Sequence, residues 1–364
     1  MHGNSNSNSN SDSNSDSDSN DAAVRELLER AVTRGGVPGI LVEVHDGDRT
    51  WHAGAAVGGQ ERSRDDRFRI GSITKTFVAT VVLQLAAEGR ITLDAPVVDQ
   101  LPTTACELPR DVTVRRLLDH TSGLPNYTDH PEELNSHPTH RPETLLRIAA
   151  AHPPRFAPGA GWAYSNTNYV LAGLLVEQAT GQPLAAEIQR RICRPLGLTG
   201  THLPGADEHG LPAPHARHWT KLFRTGPDAP VLDATELDPA PFWAAGGMVS
   251  TAPDLNRFLA ALLSGRLLRP TQQRELLTTT ATRDWIPDTA YGLGICSLAP
   301  PGGGTYWGMG GAIFGSWTYT FATADGTRLL TANTTADWTD PASGWADPIA
   351  LFTDLLRTAF RAQP

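Results

Sequence analysis

The sequence predicts an α+β fold, an antiparallel sheet flanked by helices and interrupted by an inserted all-helical lobe. Three observations carry this. Alternating, β-rich runs appear near the start (Ile40 to Val44, Thr50 to Ala55) and return only from Tyr291 onward. Between them runs a long stretch of helical periodicity cut by Pro and Gly, and an amphipathic segment from Ala346 to Phe360 closes the chain. The α/β lobe is then 22–92 with 269–364, and the helical lobe is 93–268. A cleft between two such lobes is the expected place for a site.

In chain order, the Asn/Ser/Asp alternation from Asn4 to Asn20 has nothing apolar to pack, so residues 1–21 read as a disordered tail. Asp21 can cap a helix through Leu27, Leu28 and Val32, which Gly35-Gly36-Val37-Pro38 ends. A hairpin turns at Asp46-Gly47-Asp48. After a short β-like run to Gly71, a helix carrying Phe77, Val78, Val81, Val82 and Leu85 runs to about Glu88. Further helices are expected near 112–119, 142–151, 168–180, 184–192 and 253–263. Strands are expected at 291–298, 305–307, 316–322 and 328–333.

Composition excludes several classes. With 364 residues, 40% hydrophobic and 19% charged, the chain reads as an ordinary soluble globular protein. A formal net charge of −9 argues against nucleic acid as a partner. No run reaches the roughly 20 apolar residues of a membrane span. The start has neither the basic nor the apolar stretch of an export signal, so a cytoplasmic location is the expectation. Cys106, Cys193 and Cys296 are too scattered for a disulfide framework or a metal site. His202, His209, His215 and His218, with Asp207 and Glu208, match no common zinc spacing and read as a solvated loop. The glycines around Met309 precede a strand rather than a helix, against a dinucleotide or phosphate loop. Neither metal nor cofactor is expected, and the oligomeric state stays open.

The chemistry concentrates in Phe68-Arg69-Ile70-Gly71-Ser72-Ile73-Thr74-Lys75-Thr76-Phe77. Ser72 falls in the first helical turn, and Lys75 lies three residues on, along the same face. A serine hydroxyl needs a neighbouring base to become a nucleophile, and a desolvated lysine can be that base. The helix start offers free N–H groups where an oxyanion would form. By itself the spacing also fits a helix cap beside a surface lysine.

A second element is Tyr164-Ser165-Asn166, whose phenol and amide at i and i+2 project to one side of an extended turn. A phenol beside an ammonium is expected to lose its proton more easily and to relay protons. Its bland reading is a cap by Asn166 next to a packed Tyr164. His120, opening His120-Thr121-Ser122-Gly123-Leu124-Pro125, reads as a structural junction. Trp162, Trp243, Trp307 and Trp317 lie beside these segments and fit either an apolar pocket wall or ordinary core packing.

Taken together, FRIGSITKTF, GRITLDAPV, VTVRRLLDHTSGLPNY, FAPGAGWAYSNTNYVLAGLLVE, AAGGMVSTAPDL and YGLGI resemble the serine β-lactamase and DD-peptidase (penicillin-binding protein-like) family, in its class C β-lactamase and actinomycete DD-carboxypeptidase branch. They stand in the family's order from about Ala22 to Asn333. The resemblance implies a β-lactamase/transpeptidase-like fold. It implies Ser72 as nucleophile, Lys75 as its base or proton partner, Tyr164 as a second acid/base, and Asn166 as a ligand of the substrate amide. The oxyanion hole would be the N–H groups of Ser72 and Ala312.

The family's third motif, Lys-Thr-Gly or His-Thr-Gly, falls here on Met309-Gly310-Gly311, so Met309, Gly311 and Ala312 are expected to line the substrate. Met309 carries no charge, Gly310 and Ala312 have no hydroxyl, and Cys296 stands where DD-peptidase relatives carry an arginine. The usual means of holding a carboxylate are absent from these positions. The expectation is a serine acyl-enzyme hydrolase or acyltransferase on a neutral ester, thioester or amide. Its acyl donor would be a small molecule or a peptide, and a transacylase or peptide cyclase of secondary metabolism is among the candidates. The alternatives are a DD-peptidase/β-lactamase-type hydrolase and a catalytically silent binding protein on the same scaffold.

Overall fold

The computed structural model describes residues 9–59, 61–101, 107–224, 228–301 and 304–361, with backbone alone for 9–18. In chain order its main elements begin with helix α1 (Ser9–Thr33) and strands β1 (Gly39–Asp46) and β2 (Arg49–Ala56). Helices α2 (Thr74–Ala87), α3 (Pro142–Ala150), α4 (Thr167–Thr180) and α5 (Ala252–Leu263) follow. Strands β3 (Thr280–Ala281), β4 (Thr289–Tyr291), β5 (Cys296–Leu298), β6 (Tyr306–Ile313), β7 (Ser316–Thr323) and β8 (Arg328–Thr334) come next, and helix α6 (Pro348–Ala359) is last.

The strands form one antiparallel sheet in the order β2-β1-β8-β7-β6-β5-β4-β3. The N-terminal hairpin thus joins the C-terminal strands through β1 and β8. What lies between β2 and β3 is mainly helical, with two short strand pairs, so the α+β class is observed. Alternation along β7 sorts its two faces. Tyr319 stacks on Phe352 of α6, 4.9 Å between ring centroids, with Phe321 stacked beside it. On the opposite face, Ser316 Oγ donates to Arg69 O at 2.7 Å, just before the turn that carries Ser72. Helix α2 is buried from Thr74 through Leu83, because it lies between the sheet and the inserted helices, and Phe77 stacks on Phe258 of α5 at 3.7 Å.

Four expectations change. The tail reading for 1–21 fails from Ser9 on, where α1 already runs; residues 1–8 lie outside the described residues. Val24, Leu28 and Ala31, all buried, anchor α1, and extending a formed helix costs far less than starting one. The apolar run 291–298 is two strands around a tight turn, in which Gly292 N–H donates to Ile295 O at 2.7 Å and Gly294 takes a φ of +83°. The strand expected only at 305–307 continues through Ile313, so the glycines around Met309 sit inside β6 rather than before it. Finally, His218 is not solvated: it is fully buried, its Nδ1 2.7 Å from Gly315 O in the β6–β7 turn. Cys106 lies outside the described residues. Among those described, no helix is long and apolar enough to cross a membrane.

His218 gives the fold a pH dependence. Burial, then the positive charge of Arg62, pushes its pKa down to about 3 from the ordinary 6.5. Between those values the unfolded chain binds the proton and the folded chain does not. Stability therefore falls as pH drops from 6.5 toward 3, by up to about 1.4 kcal/mol per unit. The expected result is a loss of melting temperature from pH 7 to pH 5 that is clearly smaller in His218→Asn, read by calorimetry; equal losses would show that other groups dominate.

Candidate active site

The site is built where the turn Gly71–Ile73 meets an open strand edge. Strand β5 pairs with β6 only from Tyr306 to Gly308, so the edge of β6 beyond Gly308 is left to face that turn. Ser72 sits in this 3-10 turn rather than in the α-helix proper, and α2 follows at once from Thr74. Glycines permit the approach. A Cβ on Gly71, whose φ is +50°, would lie 2.7 Å from Ala312 N, and one on Gly311 would lie 1.9 Å from Ile70 O and 2.8 Å from Ser72 N. The N–H-bearing nitrogens of Ser72 and Ala312 therefore stand beside the same glycine–glycine contact. Ser72, Tyr164, Asn166 and Ala312 are half-buried, which leaves the mouth of the site reachable.

Lys75 is fully buried, and its Nζ has three oxygen neighbours: Ser72 Oγ at 3.0 Å, Asn166 Oδ1 at 2.8 Å and Ala245 O at 2.6 Å. Burial holds its pKa well below the lysine range. The Tyr164 hydroxyl donates to Ser72 Oγ at 2.6 Å, with Lys75 Nζ 4.8 Å from the ring centroid. The expectation of an easily deprotonated phenol fails: burial raises the Tyr164 pKa above its ordinary value, only partly offset by the bond to Ser72. Tyr164 is a proton donor in this state.

Asn166 stands at the N-cap just before α4, but its side chain caps nothing. Its Oδ1 accepts from Lys75, its Nδ2 donates to Thr128 Oγ1 at 3.0 Å, and its N–H donates to Asn126 Oδ1 at 2.9 Å. Met309, 1% exposed, lies two residues before Gly311 and so on the same face of β6, the one turned toward Ser72. Cys296 is buried and free, its thiol donating to Gly308 O at 3.2 Å, and burial pushes its pKa up to about 12. His120 is buried with a φ of +63°. Its Nδ1 accepts from Ser165 N–H (3.2 Å) and Asn168 Nδ2 (3.1 Å), so it braces the turn that presents Tyr164.

Sequence reasoning missed Ala245, Thr128 and Trp285. Ala245 acts through a backbone carbonyl, which no side-chain pattern advertises. Thr128 lies two residues past the Asn126 that the VTVRRLLDHTSGLPNY segment contains, so that segment was its only signal. Trp285 sits in a hairpin loop with no motif, and its indole is stacked on Tyr164.

A serine whose oxygen meets a buried lysine and a phenol, beside a glycine-lined strand edge, is the arrangement of a serine acyl-transfer site. The chain belongs to the Beta-lactamase family, whose model matches residues 22–347. It is similar in structure to a D-stereospecific amidohydrolase from Streptomyces sp., with a TM-score of 0.83 and 40% identity over 94% of this chain and 99% of that one. A D-amino acid amidase from Ochrobactrum anthropi SV3 superposes with a TM-score of 0.77 and 26% identity, over 93% of this chain and 99% of that one. Among curated proteins, Esterase EstB of Burkholderia gladioli is 32% identical over 254 residues, 62% of this chain and 63% of EstB. Unguisins hydrolase ungD of Aspergillus violaceofuscus (strain CBS 115571) is 25% identical over 63% of this chain and 42% of its own length. The match thus spans under two thirds of these curated relatives.

Proposed function

We propose that the protein is a serine acyl-enzyme hydrolase or acyltransferase acting on a neutral ester, thioester or amide. The observation that carries this is the hydrogen-bond arithmetic at Lys75. A neutral amine has two N–H groups and one lone pair. Asn166 Oδ1 and Ala245 O can only accept, so they take both hydrogens and leave the lone pair for the Ser72 hydroxyl. Burial favours that neutral form. Ser72 Oγ then attacks the carbonyl carbon while its proton passes to Lys75 Nζ. The oxyanion is met by the N–H groups of Ser72 and Ala312. As the tetrahedral adduct breaks, the Tyr164 phenol gives a proton to the departing oxygen, nitrogen or sulfur and is reprotonated by way of Lys75. Water or an amine completes the cycle.

The substrate class follows from what surrounds this centre. Met309, Ala312 and Cys296 supply neither cation nor hydroxyl for a carboxylate, while charge-assisted hydrogen bonds to such groups contribute about 1.5–3 kcal/mol each. The likeness to an esterase and to amidohydrolases supports ester and amide bonds, and makes p-nitrophenyl butyrate and D-phenylalaninamide the first pair to assay. In intact-protein mass spectrometry a fluorophosphonate is expected to add once to the wild type and not to Ser72→Ala. A labelled penicillin is expected to add far more slowly. An equal adduct on Ser72→Ala would overturn the nucleophile; rapid penicillin labelling would favour a DD-peptidase or β-lactamase instead.

A further inference from the structure

The rings around Tyr164 come from stretches that are distant along the chain. His120 and Trp162 belong to the helical insertion, Tyr291 to β4, and Trp285 to the tip of the β3–β4 hairpin at the sheet's edge. Trp285 lays its indole nearly parallel to the Tyr164 ring, 5.7 Å between centroids and 13° between planes. It also meets Trp162 at 5.4 Å and Tyr291 at 5.5 Å. His120 packs on Tyr164 at 4.4 Å. Tyr164 is thus held by one ring from the helical insertion and one from the hairpin.

The hairpin tip is braced to keep that indole in place. Thr282 Oγ1 donates to Thr289 O at 2.9 Å, Thr289 Oγ1 to Ile286 O at 2.6 Å, and Ala299 N–H to Asp288 O at 2.9 Å. Asp284 and Asp288, on either side of Trp285, take φ values of +49° and +59°. Aspartate is one of the few residues with a side chain that tolerates this left-handed region, so the two positions suit the turns on either side of Trp285. The tip is a defined shape, and Trp285 is what it delivers.

We propose that Trp285 is a positioning residue for the acyl transfer, fixing the Tyr164 ring so that the phenol hydroxyl stays on Ser72 Oγ. The inference rests on the reading of Ser72, Lys75 and Tyr164 given above. A tyrosine hydroxyl lies at the end of a long lever with two free torsions, so a small swing of an unsupported ring moves the oxygen by about an ångström. Misplacement of that order costs up to about 100-fold in rate.

The test is a double-mutant cycle on p-nitrophenyl butyrate hydrolysis with wild type, Trp285→Ala, Tyr164→Phe and the double variant. Trp285→Ala is expected to lower kcat about tenfold, with KM within about twofold. In the Tyr164→Phe background the same change is expected to cost less than about twofold, because no hydroxyl is left to misplace. Trp285→Phe is expected to recover most of the loss. An equal loss in both backgrounds, or a loss confined to KM, overturns the proposal. If Trp285→Ala does not fold, Trp285→Leu runs the same cycle. Fluorophosphonate labelling of wild-type Ser72 is measured alongside. Absent labelling overturns the acyl-transfer reading itself, whereas normal labelling with an equal loss in both backgrounds overturns the role of Trp285 alone.

Discussion

Lys75→Met is expected to lower fluorophosphonate labelling and p-nitrophenyl butyrate turnover by about a thousandfold or more. The only base within hydrogen-bonding distance of Ser72 Oγ among the described residues is the Lys75 amine; the other partner, Tyr164, donates. The pH profile sharpens the test. Because the proposed working form is the neutral amine, acylation is expected to rise as pH climbs through the Lys75 pKa, which burial holds well below 10.5. The wild type is therefore expected to reach its plateau far below the ordinary lysine range, with an acid limb that is missing from the residual activity of Lys75→Met. Stopped-flow acylation across pH reads both. A thousandfold loss with an unchanged acid limb would assign that limb to another group. Retained activity would remove Lys75 as the base.

The second large effect is expected at Gly311. A methyl group there would stand 1.9 Å from Ile70 O and 2.8 Å from Ser72 N, both backbone atoms that cannot rotate aside. Gly311→Ala must push β6 away from the Ser72 turn and separate the two N–H groups assigned to the oxyanion. Removing one such donor costs about 10²–10³ in kcat, and forcing extra atoms into a packed contact costs about 1–3 kcal/mol of stability. Gly310→Ala is the control. Its methyl would meet the Tyr319 ring at 2.6 Å, on the far face of the strand, so its effect belongs to stability with little change in kcat. Activity and melting temperature of the two variants, side by side, check this. A Gly311→Ala protein with normal kcat would show that the oxyanion is held elsewhere.

How much of this was legible beforehand differs residue by residue. Ser72 with Lys75, and Tyr164 with Asn166, could be read because each pair works through short spacing along the chain. Their meeting in space rested on family resemblance, and the structure brings all four together. Strand β6 was cut short in the reading because Gly308-Met309-Gly310-Gly311 has no alternation. What makes it a strand is continuous pairing with β7 from Tyr306 to Ile313. The run at 291–298 read as one strand because apolar residues continue through its turn, which the Gly294 backbone and the Gly292–Ile295 hydrogen bond reveal. The Tyr164 titration was misjudged because a nearby cation could be inferred from sequence, whereas the depth of burial could not.

The three oxygens around Lys75 Nζ lie 3, 91 and 170 residues away along the chain. Two of these contacts close very long loops, and non-local contacts of that kind form slowly. The lysine's proton therefore cannot be shared as described until the segments carrying Asn166 and Ala245 have docked on α2. A partly folded chain carries an ordinary, protonated lysine and an ordinary serine. On the proposed mechanism, reactivity at Ser72 would then report that these long-range contacts have closed.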